Sequence, residues 1–93
     1  MAEKITIMDV EDAYICMQEH CGISVGDTVK VLRTAKDDEM GWRNNWTDYM
    51  DRYVQQTGLV EAIREGGIEI KFDNGRVWDF PFFVLELIEK DNG

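Results

Sequence analysis

The sequence predicts a mainly β domain with an N-terminal α-helix, an α+β fold whose strands form a small antiparallel barrel of about five strands. Three observations predict it. Apolar residues recur at helical spacing as far as Cys21 and stop at Gly22. From Val25 onward the period falls from 3.6 to 2. Late in the chain, Asn74-Gly75 stands between two alternating runs, the strongest short-range signal for a hairpin.

The helix is expected over residues 7–21. Ile7, Val10, Tyr14, Met17 and Cys21 would form one apolar stripe. Thr6 is a candidate N-cap, with Asp9 three residues on completing a capping pattern. Asp9, Glu11 and Asp12 crowd the first turn, where the macrodipole favours negative charge, and His20 sits in the last. Gly22 suits the left-handed stop.

The barrel is expected over residues 25–88. Val25-Gly26-Asp27 turns the chain into Thr28–Arg33, where Val29 and Val31 share a face. Thr57–Ile63 is a second strand, and Gly66-Gly67 turns into Ile68–Phe72. Arg76–Phe80 returns antiparallel with Trp78 and Phe80 on one face. Pro81 breaks the run, Phe82-Phe83 makes a short 3₁₀ turn, and Val84–Ile88 closes the barrel, because closure removes exposed edges. Val29, Val31, Ile68, Ile70, Phe72, Trp78 and Leu85 are the expected core. Residues 1–93 are read as a single domain, since the length leaves no room for two.

Residues 34–56 break the strand rhythm. A loop of this length inside a small domain is uncommon and is often functional. Trp42, Arg43, Asn44, Trp46 and Tyr49 are the candidate binding face, with Asp37, Asp38 and Glu39 at its rim. Aromatic and arginine side chains are enriched where binding energy concentrates, and rim acids steer a basic ligand. The competing reading has Trp42 and Trp46 plugging the barrel's open end, because large apolar groups are seldom left exposed in bulk. Tyr49, Met50 and Tyr53 fit one helical turn capped by Thr47.

Composition bounds the function. The formal net charge is −9, from 19 acidic and 10 basic residues. Nucleic-acid binding wants a basic stripe to displace counterions, and anionic membranes want a basic patch. Neither is present, so the expected partner is a protein or peptide of basic or amphipathic character. No apolar run reaches the ~20 residues of a membrane span, and the N-terminus does not open as a signal peptide, so a cytoplasmic location is expected. Cys16 and Cys21 lie about 500° apart around a helix and read as reduced thiols. Phosphate-loop, dinucleotide, nucleophile-elbow and zinc-protease motifs are missing. His20 with Cys16 supplies two of the four ligands that structural zinc wants. No cofactor, metal or catalytic set is expected.

The pattern V-G-D-x-V-x-V from Val25, the tryptophan-bearing loop, T-G-x-V from Thr57, I-x-I-x-F-D-N-G from Ile68 and W-x-F-P-x-x-x-L-E from Trp78 resembles small SH3-like barrels. The nearest relatives by resemblance are KOW-like barrels and the barrel of Mind-bomb ubiquitin ligases. The whole chain is also similar to small uncharacterised proteins of tailed bacteriophages. Such barrels bind peptides, proteins or nucleic acid and are not enzymes. The resemblance therefore implies a non-enzymatic binding module, extending to a phage protein that acts on a host protein in the host cytoplasm. It also implies a groove walled by the long loop and by the hairpin that carries Trp78. Two alternatives stand beside it. An acidic DNA mimic would inhibit a nucleic-acid-binding host enzyme. A small-molecule sponge would need a deep arginine-bearing pocket, whereas Arg33, Arg43, Arg52, Arg64 and Arg76 are scattered in sequence.

The charge reading makes a direct prediction. Fluorescence anisotropy with duplex DNA or single-stranded RNA at ~150 mM salt should show no micromolar binding; a micromolar complex would overturn it.

Overall fold

In the computed structural model the described residues are 10–91. Helix α1, Val10–Glu19, is followed by strands β1 (Thr28–Val31), β2 (Thr57–Arg64), β3 (Gly67–Lys71), β4 (Val77–Phe80) and β5 (Leu85–Glu89). Three 3₁₀ turns interrupt the connections, at Glu39–Gly41, Asp48–Tyr53 and Phe82–Val84. Every strand pairing is antiparallel, in the order β4-β3-β2-β1-β5. The expected strands and the turn after Pro81 are therefore present, with ends shifted by a residue or two.

The sheet is not a closed barrel. β4 pairs only with β3, and β5 only with β1. The chain leaves β4 at Pro81, which has no N–H to offer a neighbour. The next amide, of Phe82, donates to the Tyr14 hydroxyl of α1 at 3.2 Å instead of to a strand. The amide that follows Pro81 is thus held by the helix, and β4 and β5 remain the two edges of the sheet.

One face of the sheet carries the core. Val29, Val31, Val60, Ile68, Ile70, Phe80 and Val84 are fully buried, and Phe72 and Leu85 nearly so. Trp78, expected among them, is only half-buried: the ring stacked over it is that of the exposed Tyr49, whereas Phe80 on the same edge strand is packed by Trp46 and Phe72. The hairpin between β3 and β4 also differs in detail from a two-residue turn. Gly75 alone takes a positive φ, of 82°. Its N–H donates to the Phe72 carbonyl at 2.8 Å, and the Phe72 N–H donates to the Arg76 carbonyl at 2.9 Å. This is a three-residue loop with glycine at the left-handed position, which leaves the Asn74 side chain free to bond elsewhere.

The helix stripe is corrected too. Val10 and Met17 are exposed, while Tyr14 and Gln18 are buried. Ile7, Thr6 and Asp9 lie outside the described residues. The helix docks through a polar relay. The Tyr14 hydroxyl donates to Gln18 Oε1 at 2.5 Å, and Gln18 Nε2 donates to the Arg64 carbonyl at the end of β2 at 2.6 Å. Each buried polar group is paired, so burying a glutamine is tolerated. Burial pushes the Tyr14 phenol well above its ordinary range. Phe82 packs on its ring at 5.2 Å. α1 ends at Glu19, earlier than Cys21, so Gly22 with φ 86° turns the chain three residues beyond the helix and is not its C′ stop. Cys16 and Cys21 are unbridged.

Asp27 fastens the far end of the sheet. Its side chain is 1% exposed. It accepts from Ser24 N–H at 2.8 Å, Asp91 N–H at 2.9 Å and Lys90 Nζ at 2.9 Å. The turn before β1 and the residues after β5 are therefore held by one carboxylate. Among the described residues no helix is long and apolar enough to cross a membrane.

The Asp91 amide bond, followed by the Lys90 ammonium, holds the Asp27 carboxyl at about 2, against an ordinary 3.8. The unfolded chain takes up this proton first as the pH falls, so the stabilisation is complete above about pH 4 and is lost between about pH 4 and pH 2. Asp27→Asn should lower the melting temperature at pH 7 and flatten the acid limb of stability against pH. An unchanged limb in urea titrations would show that other carboxylates set it.

Candidate functional site

The long connection between β1 and β2 is ordered by burying its own residues. Trp42 is fully buried, and its indole N–H donates to the Gly66 carbonyl at 2.8 Å. Asn44 Nδ2 donates to the same oxygen at 3.1 Å. Two glycines make room. A Cβ on Gly67, whose φ is 134°, would stand 2.9 Å from the Phe80 carbonyl and 3.2 Å from the Trp42 indole nitrogen. A Cβ on Gly41, at φ 85°, would overlap the carbonyl of Val10 in α1. Trp42 is thus a core residue under the β2–β3 turn and not part of a surface face.

The turn Asp48–Tyr53 follows Thr47 as expected and points Met50 and Tyr53 inward. Tyr53 stacks on Phe72 with ring centres 4.2 Å apart. Trp46 is half-buried and sits edge-on to Phe80 at 5.5 Å, its indole N–H donating to Asp51 Oδ1 at 2.6 Å. Tyr49 points outward, 65% exposed, and stacks on Trp78 of β4 at 6.1 Å and 12°. Trp78 Nε1 is shielded from solvent without a hydrogen bond of ordinary geometry.

The acidic segment serves the loop itself. Asp37 Oδ1 accepts from the Trp46 N–H at 3.0 Å. Glu39 pairs with Arg33 at 3.0 Å and accepts from the Lys36 N–H at 3.0 Å. The Arg33 bond, then the Lys36 amide, holds its carboxyl below the ordinary range. Asp38 is exposed, in the left-handed region at φ 60°. Arg43, also exposed, pairs with Glu11 of α1 at 3.2 Å. Of the residues picked from the sequence, Tyr49, Trp78, Trp46 and Asn44 therefore lie along the loop and β4, whereas Trp42, Arg43, Asp37 and Glu39 build the scaffold.

Between the loop and the β3–β4 hairpin runs an open trough. Its middle is a cleft of about 390 Å³ lined by Tyr49, Arg52, Tyr53, Asn74, Arg76 and Trp78. Trp78 also lines a second cleft, of about 270 Å³, which continues past Asn44 and Asn45 towards Glu69 and Asp79. Tyr53 and Asn74 line a third, of about 260 Å³, reaching Gln56 and Asp73. The middle cleft shares Arg52, Tyr53 and Asn74 with the third and Trp78 with the second, so the three adjoin along the edge of the sheet.

Four of the middle residues, Arg52, Tyr53, Asn74 and Arg76, were not among those expected at the binding face. Asn74 looks like a turn residue, yet its Nδ2 donates to the Tyr53 hydroxyl at 3.0 Å and joins the hairpin to the loop. That bond, more than any other influence, lowers the Tyr53 pKa; the Trp78 indole and the charges of Arg52 and Arg76 lower it further. Arg52 was findable, because it follows Tyr49 by three residues on a 3₁₀ turn, where i and i+3 eclipse. Arg76 precedes Trp78 by two, which puts it on the same side of the strand.

At the opposite end of the trough, Glu69 and Asp79 face each other across β3 and β4. Arg64 bridges them, 2.7 Å from Glu69 and 3.9 Å from Asp79. Burial, then repulsion from Glu69, raises the Asp79 carboxyl above its usual value. No group of three or more metal-ligating side chains occurs among the described residues. Comparison with protein-family models, with curated proteins and with solved structures finds no match.

Trp42→Ala should cost roughly 3–5 kcal/mol of stability by leaving a cavity. Tyr49→Ala should stay within about 0.5 kcal/mol, as an exposed position does. Denaturant melts of the two variants check this, and a Trp42→Ala protein as stable as the parent would remove the indole from the core.

Proposed function

We propose that the chain is a non-enzymatic binding module that takes an extended, amphipathic segment of a partner protein in the trough over Trp78. The observation that carries the reading is the Tyr49–Trp78 pair. It leaves an exposed tyrosine stacked on an edge-strand tryptophan, in the middle of three adjoining clefts. An exposed large aromatic surface in a small domain is costly to leave wet, and such residues anchor interfaces. A channel bounded by a loop on one side and a hairpin on the other suits a chain more than a compact ligand.

The strand order supports the SH3-like reading of the fold, in a sheet whose outer edges stay apart. The long connection after β1 supplies one wall of the trough and the Trp78 hairpin the other, as that resemblance implies. The resemblance to phage proteins extends the proposal to a host protein as the partner, met in the host cytoplasm.

A peptide selected against the immobilised chain from a random display library tests the trough. Titrated into the ¹⁵N-labelled protein, it should shift the Trp78 indole N–H and the amides of Asn74 and Arg76. Tyr49→Ala should weaken it by more than about fivefold, the equivalent of about 1 kcal/mol, without lowering the melting temperature. Shifts confined to Leu87 and Ile88 on the β5 edge would sink the proposal.

A further inference from the structure

We propose that the middle of the trough is an anion pocket in which Arg52 and Arg76 together hold a carboxylate side chain, an aspartate or glutamate, of the bound peptide. This deepens the proposed function and rests on its trough.

The first observation is how the arginines are used. The chain has five arginines among 19 acidic residues, so carboxylate partners are plentiful. Arg33 pairs with Glu39, Arg43 with Glu11, and Arg64 with Glu69 and Asp79. Among the described residues, Arg52 and Arg76 have no such ion pair, and both line the same cleft. One comes from the loop and the other from the hairpin, so the fold brings them together across 24 residues of sequence. Tyr53, whose hydroxyl accepts from Asn74 Nδ2, lines the cleft with them. A carboxylate there could accept paired N–H bonds from guanidinium forks, the strong form of this contact.

The second observation is what stands on either side. Glu69 and Asp79 line the next cleft in one direction, whereas the cleft in the other holds Asp73 together with Arg52 itself. An acidic residue displaced towards Glu69 and Asp79 would meet like charge, so the pocket specifies the presence of the acid and bars its slip in that direction. Tyr49 and Trp78 offer flat apolar faces beside the arginines for the flanking residue of the peptide. The rest of this strongly acidic surface repels an anionic ligand, so recognition depends on this local pair.

Display selection against the intact chain should return peptides that share an aspartate or glutamate beside an apolar residue. In anisotropy titrations of one such peptide, replacing its acid by the matching amide should weaken binding about tenfold. Arg52→Gln and Arg76→Gln should each weaken the acidic peptide by a similar factor, with little effect on the amide peptide and none on the melting temperature. Arg52→Lys, which keeps the charge, should retain part of the affinity. Rising salt should narrow the gap between the two peptides. Selected peptides that are neutral or basic, or an amide peptide that binds as well as the acidic one, would overturn the anion pocket. If Tyr49→Ala still weakened those peptides, the trough itself would stand. A selection that returned no binder would overturn both.

Discussion

Trp42 ties three parts of the chain together. It is buried whole, and the carbonyl that receives its N–H belongs to the turn between β2 and β3. Its neighbour Gly41 lies against the Val10 carbonyl of α1 so closely that no side chain fits. The indole therefore fixes where the helix meets the sheet and where the long connection crosses it. Everything after Trp42 in that connection starts from this anchor. Trp46 then finds Phe80, Met50 and Tyr53 turn inward, and Tyr49 is left on the outside over Trp78. A loop that would otherwise pay a large entropic cost for order gains it by contributing its own core residues.

The aromatic packing has an electrostatic counterpart. A chain with this excess of acid must place its carboxylates where they do not repel one another in the folded state. Several are absorbed into structure: Asp27 joins the turn before β1 to the residues after β5, Asp37 and Glu39 organise the loop, and Glu69 shares Arg64 with Asp79. Among the described residues, the arginines without an ion pair are Arg52 and Arg76, and the fold delivers both to one cleft. The trough thus carries its unpaired cations in the middle and the Glu69–Asp79 pair at one end. Ligand polarity cannot be inferred from net charge alone in such a protein, because the local pair opposes the global field.

Much of the fold was legible. Alternation placed Val29, Val31, Ile68, Ile70 and Phe72 on the buried face, and the break at Pro81 placed the last 3₁₀ turn. The limits were set by contacts distant in sequence. Nothing in the period of α1 marks Gln18 as buried; its burial depends on the Arg64 carbonyl 46 residues away and on the Tyr14 hydroxyl. Closure of the barrel failed as an expectation: β4 pairs only with β3 and β5 only with β1, while the amide after Pro81 bonds the helix. The candidate face was half legible. Tyr49 and Trp78 lie in the trough, but Trp42 resembles them in composition and sits in the core.

By itself the sequence determined the local order: one helix, then short strands in antiparallel succession, with turns where glycine, asparagine and proline demand them. Those features depend on φ preferences and on side-chain period, both properties of neighbouring residues. Tertiary structure alone decided which tryptophan is fully buried and which two are half-buried, which carboxylates are spent on structure, and that Arg52 and Arg76 share a cleft. These outcomes turn on long-range packing and on competition among many acids for few cations. Residue type cannot rank such competitors, because the energy of each pairing depends on a distance and a degree of burial that exist only once the chain has folded.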